Sequence, residues 1–245
     1  MNPRIALFGK MPAAGDFVAF NAANPVARQL DQWLQAGVDS LVRRGRPLPP
    51  APVRFLYRDA ACSGACVGVF VPSQDRVGRV FPLAAFAYLD MPVAVHRFPF
   101  LPAAYAPFLD SAGAVLLQAA QADPQTLLRQ LGMLPLPSPQ ELEEARLWGY
   151  QALDATPGQA LLEALFGPVG GGVQYHGLNM FLRACAQVRG GAPGVANTVL
   201  ECTASDDVQL VFWLRLAQEL LVWNRAPPCP FWSGADSRDM RLLLA

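Results

Sequence analysis

The sequence predicts an α/β protein, with a mostly antiparallel N-terminal sheet flanked by helices, a helical middle and a C-terminal strand–helix–strand unit. Three observations predict it. Short apolar runs of strand length crowd the first ninety residues. From Pro102 onward apolar residues recur at three- and four-residue spacing. Near the C-terminus a long periodic segment stands between extended, β-branched or proline-bounded runs.

Taken in order, "RIALFGKM" reads as a first strand, and "GDFVAF" as a second short strand or the entry to the next helix. In "PVARQLDQWLQAGVDSLVRR" the spacing of Val26, Leu30, Trp33, Leu34, Val38 and Leu41 marks an amphipathic helix opened by proline. "RRGRPLPPAP" closes it as a proline-rich loop. "VRFLYRD", "ACVGVFV" and "RVFPLAAFAYLD" are strands, the last two apolar enough to be central and covered on both faces. Residues 66–72 and 79–89 are expected to pair antiparallel across a 73–78 turn, because so short a connection makes no parallel crossover.

"AYAPFLDSAGAVLLQAAQ", "DPQTLLRQLGML" and "SPQELEEARLWGYQAL" are helices with start signals, and Ser138 with Glu141 spells a capping box. "GQALLEALFG" and "YHGLNMFLRACAQVRG" continue the helical region around the glycine run Gly170–Gly172. "NTVLECTAS" is a strand, "DDVQLVFWLRLAQELLVW" a helix capped by Ser205 or Asp206, and "PCPFWSG" and "MRLLLA" are strands. Trp33, Trp148, Trp213 and Trp223 fall on the apolar faces of these helices, whereas Trp232 stands in a loop-like context before Ser233, Gly234 and Asp236. The chain reads as one domain over 1–245, with a subdivision into a sheet-rich 1–134 and a helix-rich 138–245 as the alternative.

Composition narrows the function classes. Of 245 residues, 53% are apolar and 16% charged, and 19 basic balance 19 acidic side chains. No net field favours nucleic acid or anionic lipid, and no stripe gathers the arginines along the sequence. "MNPRIALFGK" lacks a signal-peptide cleavage site, and no run reaches the roughly 18 apolar residues of a membrane span. Five cysteines without framework spacing suit a reducing compartment, so a cytoplasmic location is expected.

Catalytic signatures are missing. "FGKM" carries Arg4 where a phosphate loop needs its first glycine, and Met11 where it needs a hydroxyl. "GPVGGGVQYHG" has Tyr175 at the third glycine position of a dinucleotide fingerprint. His96 and His176 make no ligand pair, and Cys62 and Cys66 have no second pair to complete a zinc site. No enzyme activity, cofactor or metal is therefore expected.

One stretch stands out: "VPSQDRVGRVFPL", residues 71–83. Turn chemistry explains Pro72, Ser73, Asp75 and Gly78 but not two arginines, Arg76 and Arg79, in so short a connection. "GVFVPSQDRVGRVFPLA", residues 68–84, is similar to the Gly-Val-x-x-Pro-Ser-x-Asp-Arg-Val-Gly-Arg-x-Phe-Pro-Leu signature of TagF proteins, also called ImpM. "FGKMPAAGDFV", residues 8–18, resembles the Gly-Lys-Leu-Pro-x-x-Gly-Asp-Phe opening of the same family. Cys66 and Val67 depart from a tryptophan frequent there, and Val80 from a tyrosine.

That resemblance implies a longin-like sheet and a cytoplasmic accessory protein of the bacterial type VI secretion system. It further implies a stand-alone post-translational repressor of assembly or firing, linked to the forkhead-associated scaffold Fha. The expected site is a partner-binding or motif-loop cluster of Lys10, Asp16, Ser73, Asp75, Arg76 and Arg79, joined by Trp232. Two roles stay open for the arginines: pairing with Asp16 or Asp75 to pin the loops, or gripping a partner's carboxylate or phosphate. A small-ligand or enzymatic pocket built from Lys10, Asp16, Asp75, Arg76 and Arg79 is the alternative function.

Overall fold

A computed structural model describes residues 4–58, 64–119, 122–167, 172–189, 198–204, 206–221, 228–233 and 239–244. Cys62, Gly170, Ser205, Trp223, Gly234 and Asp236 lie outside these residues. The protein is α/β and divides into two compact units: Met1–Met91 with Tyr105–Leu136, and Pro92–Ala104 with Pro137–Ala245.

In the first unit β1 (Ile5–Gly9), β2 (Val18–Phe20), β3 (Val53–Arg58), β4 (Ala65–Val71) and β5 (Leu83–Leu89) form antiparallel pairs in the order β2-β1-β5-β4-β3. "GDFVAF" thus resolves as a strand. Between β1 and β3 runs α1 (Pro25–Arg43), where the Asn24 side chain accepts from the Ala27 amide at 3.0 Å and Pro25 opens the first turn. Its buried stripe is Val26, Leu30, Leu34 and Val38. Trp33 is only half-buried and packs on Tyr57.

Register explains why β4 and β5 are apolar throughout. Tyr57 opposes Cys66, Phe55 opposes Gly68, and Gly68 opposes Phe86, so these residues share one face, the one α1 covers through Trp33. Gly68 is needed there, since a Cβ would lie 2.5 Å from Phe86 Cβ and 2.7 Å from the Phe55 ring. Val67, Val69, Ala85 and Ala87 point to the other face. α4 (Ala106–Leu117) lies on that face, its Gly113 above Val69 and its Asp110 paired with Arg54. Both faces are covered, so neither strand carries a charged or amide side chain, and the Tyr88 hydroxyl donates to the Asn21 carbonyl. α5 (Pro124–Gly132) starts at Asp123, whose carboxylate accepts from the Gln125 and Thr126 amides.

The second unit takes α2 (Met91–Arg97), a 3-10 turn at Phe98–Phe100 and α3 (Leu101–Ala104), so helix begins earlier than the periodicity predicts. α6 (Pro139–Ala155) opens with the expected capping box, Glu141 N to Ser138 Oγ at 3.2 Å and Ser138 N to Glu141 Oε2 at 2.7 Å. Its Gly149 faces the Phe100 ring at a distance no Cβ would tolerate. Trp148 therefore turns outward and is 40% exposed, contrary to the core position its spacing suggests. Neighbouring residues on a helix cannot both face the core. α7 (Gly158–Phe166), α8 (Val173–Arg189) and α9 (Asp207–Leu220) meet around Trp213, which contacts Phe166 and Phe181. Asp206 caps α9. That helix separates β6 (Thr198–Thr203) from β7 (Pro228–Ser233), and both strands pair antiparallel with β8 (Asp239–Leu244). Among the described residues no single helix is long and apolar enough to cross a membrane.

Candidate functional site

Two polar loops leave the first sheet at the same end of its strands. Leu83 opposes both Gly9 and Val71, so the loop after β1 and the β4–β5 connection start side by side. Gly9 permits this closeness: its φ is +136°, and a Cβ there would lie 2.1 Å from the Pro82 carbonyl oxygen. The β4–β5 pair is antiparallel as expected, but β5 begins at Leu83 rather than at residue 79. Pro82 has no amide to give a ladder, and residues 73–81 are held by other bonds. Gln74 and Val80 form an isolated bridge, and the Phe81 amide donates to the Ser73 carbonyl at 3.1 Å.

Asp75 organises the connection. Its carboxylate is buried and receives four donors: the amides of Val77 at 3.1 Å and Arg79 at 2.9 Å, Arg79 Nε at 2.6 Å and Lys10 Nζ at 3.1 Å. Burial alone raises the carboxyl's pKa. The Arg79 amide, Lys10, the Arg79 guanidinium and the Val77 amide outweigh that, and the group titrates far below its ordinary range. Gly78, at φ +85°, donates its amide to the Asp75 carbonyl at 3.0 Å and closes the turn.

The loops are also joined directly. The Arg76 amide donates to the Ala14 carbonyl at 2.9 Å, and Arg79 Nη2 donates to the Gly15 carbonyl at 2.8 Å. The Arg76 guanidinium lies over Gly15, close enough that a Cβ there would come within 3.3 Å of Nη2. Arg76 is exposed and makes no ion pair among the described residues. The structure thus separates the two arginines: Arg79 pins the loops, and Arg76 points its charge at solvent.

Of the expected cluster, Lys10, Asp75, Arg76 and Arg79 come together. Asp16 does not join the arginines; its carboxylate accepts from the adjacent Phe17 amide at 2.8 Å. Ser73 is half-buried and holds Phe81 through its backbone. Trp232 belongs to the second unit, where it sits in β7 and is 8% exposed. Its loop-like surroundings in the sequence are strand, because β7 pairs with β8 through Trp232 opposite Met240.

Sequence reasoning missed the aromatic half of the site. Phe8, Phe17 and Phe81 pack mutually, with ring centroids 5.4, 5.9 and 5.0 Å apart. Lys10 Nζ lies 5.2 Å from the Phe17 centroid, between that ring and Asp75. The signal was available, for all three phenylalanines fall within residues 8–18 and 68–84. Phe81 is buried while Phe17 remains 41% exposed, so the trio runs from core to surface.

Such an arrangement defines a class: a sheet scaffold that presents two loops locked by one buried carboxylate, with an arginine and apolar side chains outward. A family model described as the TagF N-terminal domain, type VI secretion system-associated, matches residues 6–134 and takes in both loops. The chain belongs to the TagF family. The crystal structure of PA0076 from Pseudomonas aeruginosa PAO1 is similar, at 26% identity and a TM-score of 0.49, over 55% of this chain and 64% of that one. This chain accordingly spans less than two thirds of the length of that relative. Among curated proteins none matches.

Proposed function

We propose that this protein is a cytoplasmic, non-enzymatic repressor of type VI secretion that works by binding a forkhead-associated (Fha-type) scaffold of the machine. One observation carries the reading. The signature loops commit three of their charged groups to holding a shape: Lys10 and Arg79 both pair with the buried Asp75 carboxylate. What they present to solvent is Arg76 with Phe17, Val77 and Val80. A planar guanidinium beside exposed apolar side chains is the composition of a protein-binding hot spot. The ligand-pocket alternative needs Lys10 and Asp75 for a substrate, and each is committed to the other.

The test is co-purification with the scaffold and secretion in a strain lacking the chromosomal copy. Arg76→Ala and Val77→Asp are expected to melt within a few degrees of wild type, to lose the scaffold and to release secretion. If both variants bind and repress as wild type, the motif loop is not the binding face.

A further inference from the structure

We infer that Arg76 and Arg79, gathered at Gly15, take the carboxylate of an aspartate or glutamate side chain on the partner protein. This rests on the regulatory reading and names the chemical group by which the partner is held. Gly15 is where both guanidiniums meet the first loop. Arg79 Nη2 donates to its carbonyl at 2.8 Å, and a Cβ on it would lie 3.3 Å from Arg76 Nη2. Neither cation is exhausted by these contacts. A guanidinium carries five N–H donors in a planar fork. Arg79 commits two of them, Nε to Asp75 and one on Nη2 to Gly15, which leaves three on a side chain 58% exposed. The Arg76 guanidinium has no ion pair and no hydrogen-bond acceptor among the described residues, and it is exposed. Its root is nonetheless fixed, since the Arg76 amide donates to the Ala14 carbonyl at 2.9 Å, and the missing side chain of Gly15 leaves room for the fork. The donors are thus held in place before a partner arrives.

Local charge selects the anion. Residues 8–18 and 68–84 hold three cations, Lys10, Arg76 and Arg79, and two carboxylates, Asp16 and Asp75, an excess of one positive charge. Asp75 is buried and already satisfied. Asp16 is exposed, accepts from the Phe17 amide and pairs with neither arginine. A single uncompensated charge matches a carboxylate better than a phosphate monoester, which carries nearly two negative charges. The site is open surface, where an ion pair by itself is worth little, so a free small anion is not retained. The carboxylate has to arrive on a partner that also covers Phe17 and Val77, which are 41% and 69% exposed. A duplex or an anionic bilayer gains its affinity from many cations, and this chain has zero net charge.

The chain itself makes a direct test possible, because its single lysine, Lys10, is buried against Asp75. Arg76→Lys and, separately, Asp16→Lys each place one accessible side-chain amine at the site. The probe is the purified Fha-type scaffold, mixed with each whole chain and a carbodiimide. That reagent condenses a carboxylate with a touching amine to an amide, taking up the released water to become a urea. Mass spectrometry is expected to find position 76 or 16 joined to one Asp or Glu of the scaffold. Changing that scaffold residue to its amide should lower wild-type affinity at least ~10-fold and lower that of Arg76→Gln much less, because the two groups are coupled. No link from either variant, while the wild type still binds the scaffold, overturns the carboxylate and leaves the repressor reading standing. So do additive losses, a link through a phosphorylated residue, or wild-type binding abolished by phosphatase treatment of the scaffold. A wild type that does not bind the scaffold overturns both. If link and coupling are found but Arg76→Ala still represses secretion, the repressor reading fails and the carboxylate site survives.

Discussion

Lys10 Nζ and Asp75 Oδ2 lie 3.1 Å apart, a buried ion pair joining the loop after β1 to the connection between β4 and β5. Neither side chain reaches solvent appreciably, so each is the other's replacement for water. Arg79 pairs with the same carboxylate from the exposed side. The two family motifs are thereby one structural unit, although helix α1 and strand β3 separate them in the chain.

Asp75→Asn is expected to lower the melting temperature more than Arg79→Ala, because the amide leaves Lys10 buried without its counterion. The pH dependence has a definite sign. The folded carboxyl titrates below its ordinary value of 3.8, so its contribution is complete above that pH and fades as pH falls further. Thermal melts from about pH 7 to about pH 3 should show a wild-type advantage that is constant down to about pH 4 and narrows below. An advantage that narrows between about pH 7 and pH 5 would contradict the assignment.

Gly9→Ala should be severely destabilising. The backbone there has φ +136°, and the added methyl would meet the Pro82 carbonyl oxygen at 2.1 Å. Backbone strain alone costs on the order of 1–3 kcal/mol, and relieving the clash requires separating the two motif loops. Urea titration measures the loss, and a variant as stable as wild type would refute the close approach.

Phe81 and Phe17 belong to one aromatic trio but should part under mutation. Phe81→Ala, at a buried position, is expected to cost ~3–5 kcal/mol. Phe17→Ala removes a ring that is 41% exposed and should cost clearly less, while weakening scaffold binding. Chemical denaturation paired with co-purification separates the two effects. Equal losses of stability would place Phe17 in the core.

A second acid-sensitive point lies in the second unit. Glu143 accepts from Arg146 at 2.5 Å and from Arg97 at 2.6 Å, and this pairing, chiefly with Arg146, holds its carboxyl down at about 2. Its stabilising effect is present above the ordinary value of 4.5 and is lost as pH falls toward about 2. Glu143→Gln should melt earlier than wild type at neutral pH and approach it in acid. A pH-independent difference would remove the ion pair from the account.

The sequence determined the elements and the family. Alternation and apolar runs placed β1, β3 and β4, proline and capping residues placed α1, α5 and α6, and residues 68–84 carried the family signature, because these signals act through the local backbone. Trp148 escaped it, since a period cannot say which of two neighbours yields to a close helix contact such as that at Gly149. Asp16 was an equal candidate with Asp75 in sequence; the register Gly9–Leu83–Val71 gave Asp75 the buried position and left Asp16 on its own turn. Only tertiary structure brought Lys10 to Asp75 and divided a pinning Arg79 from an Arg76 that faces solvent. The physical reason is that charge pairing and burial depend on distance through space, which strand pairing sets between residues far apart in the chain.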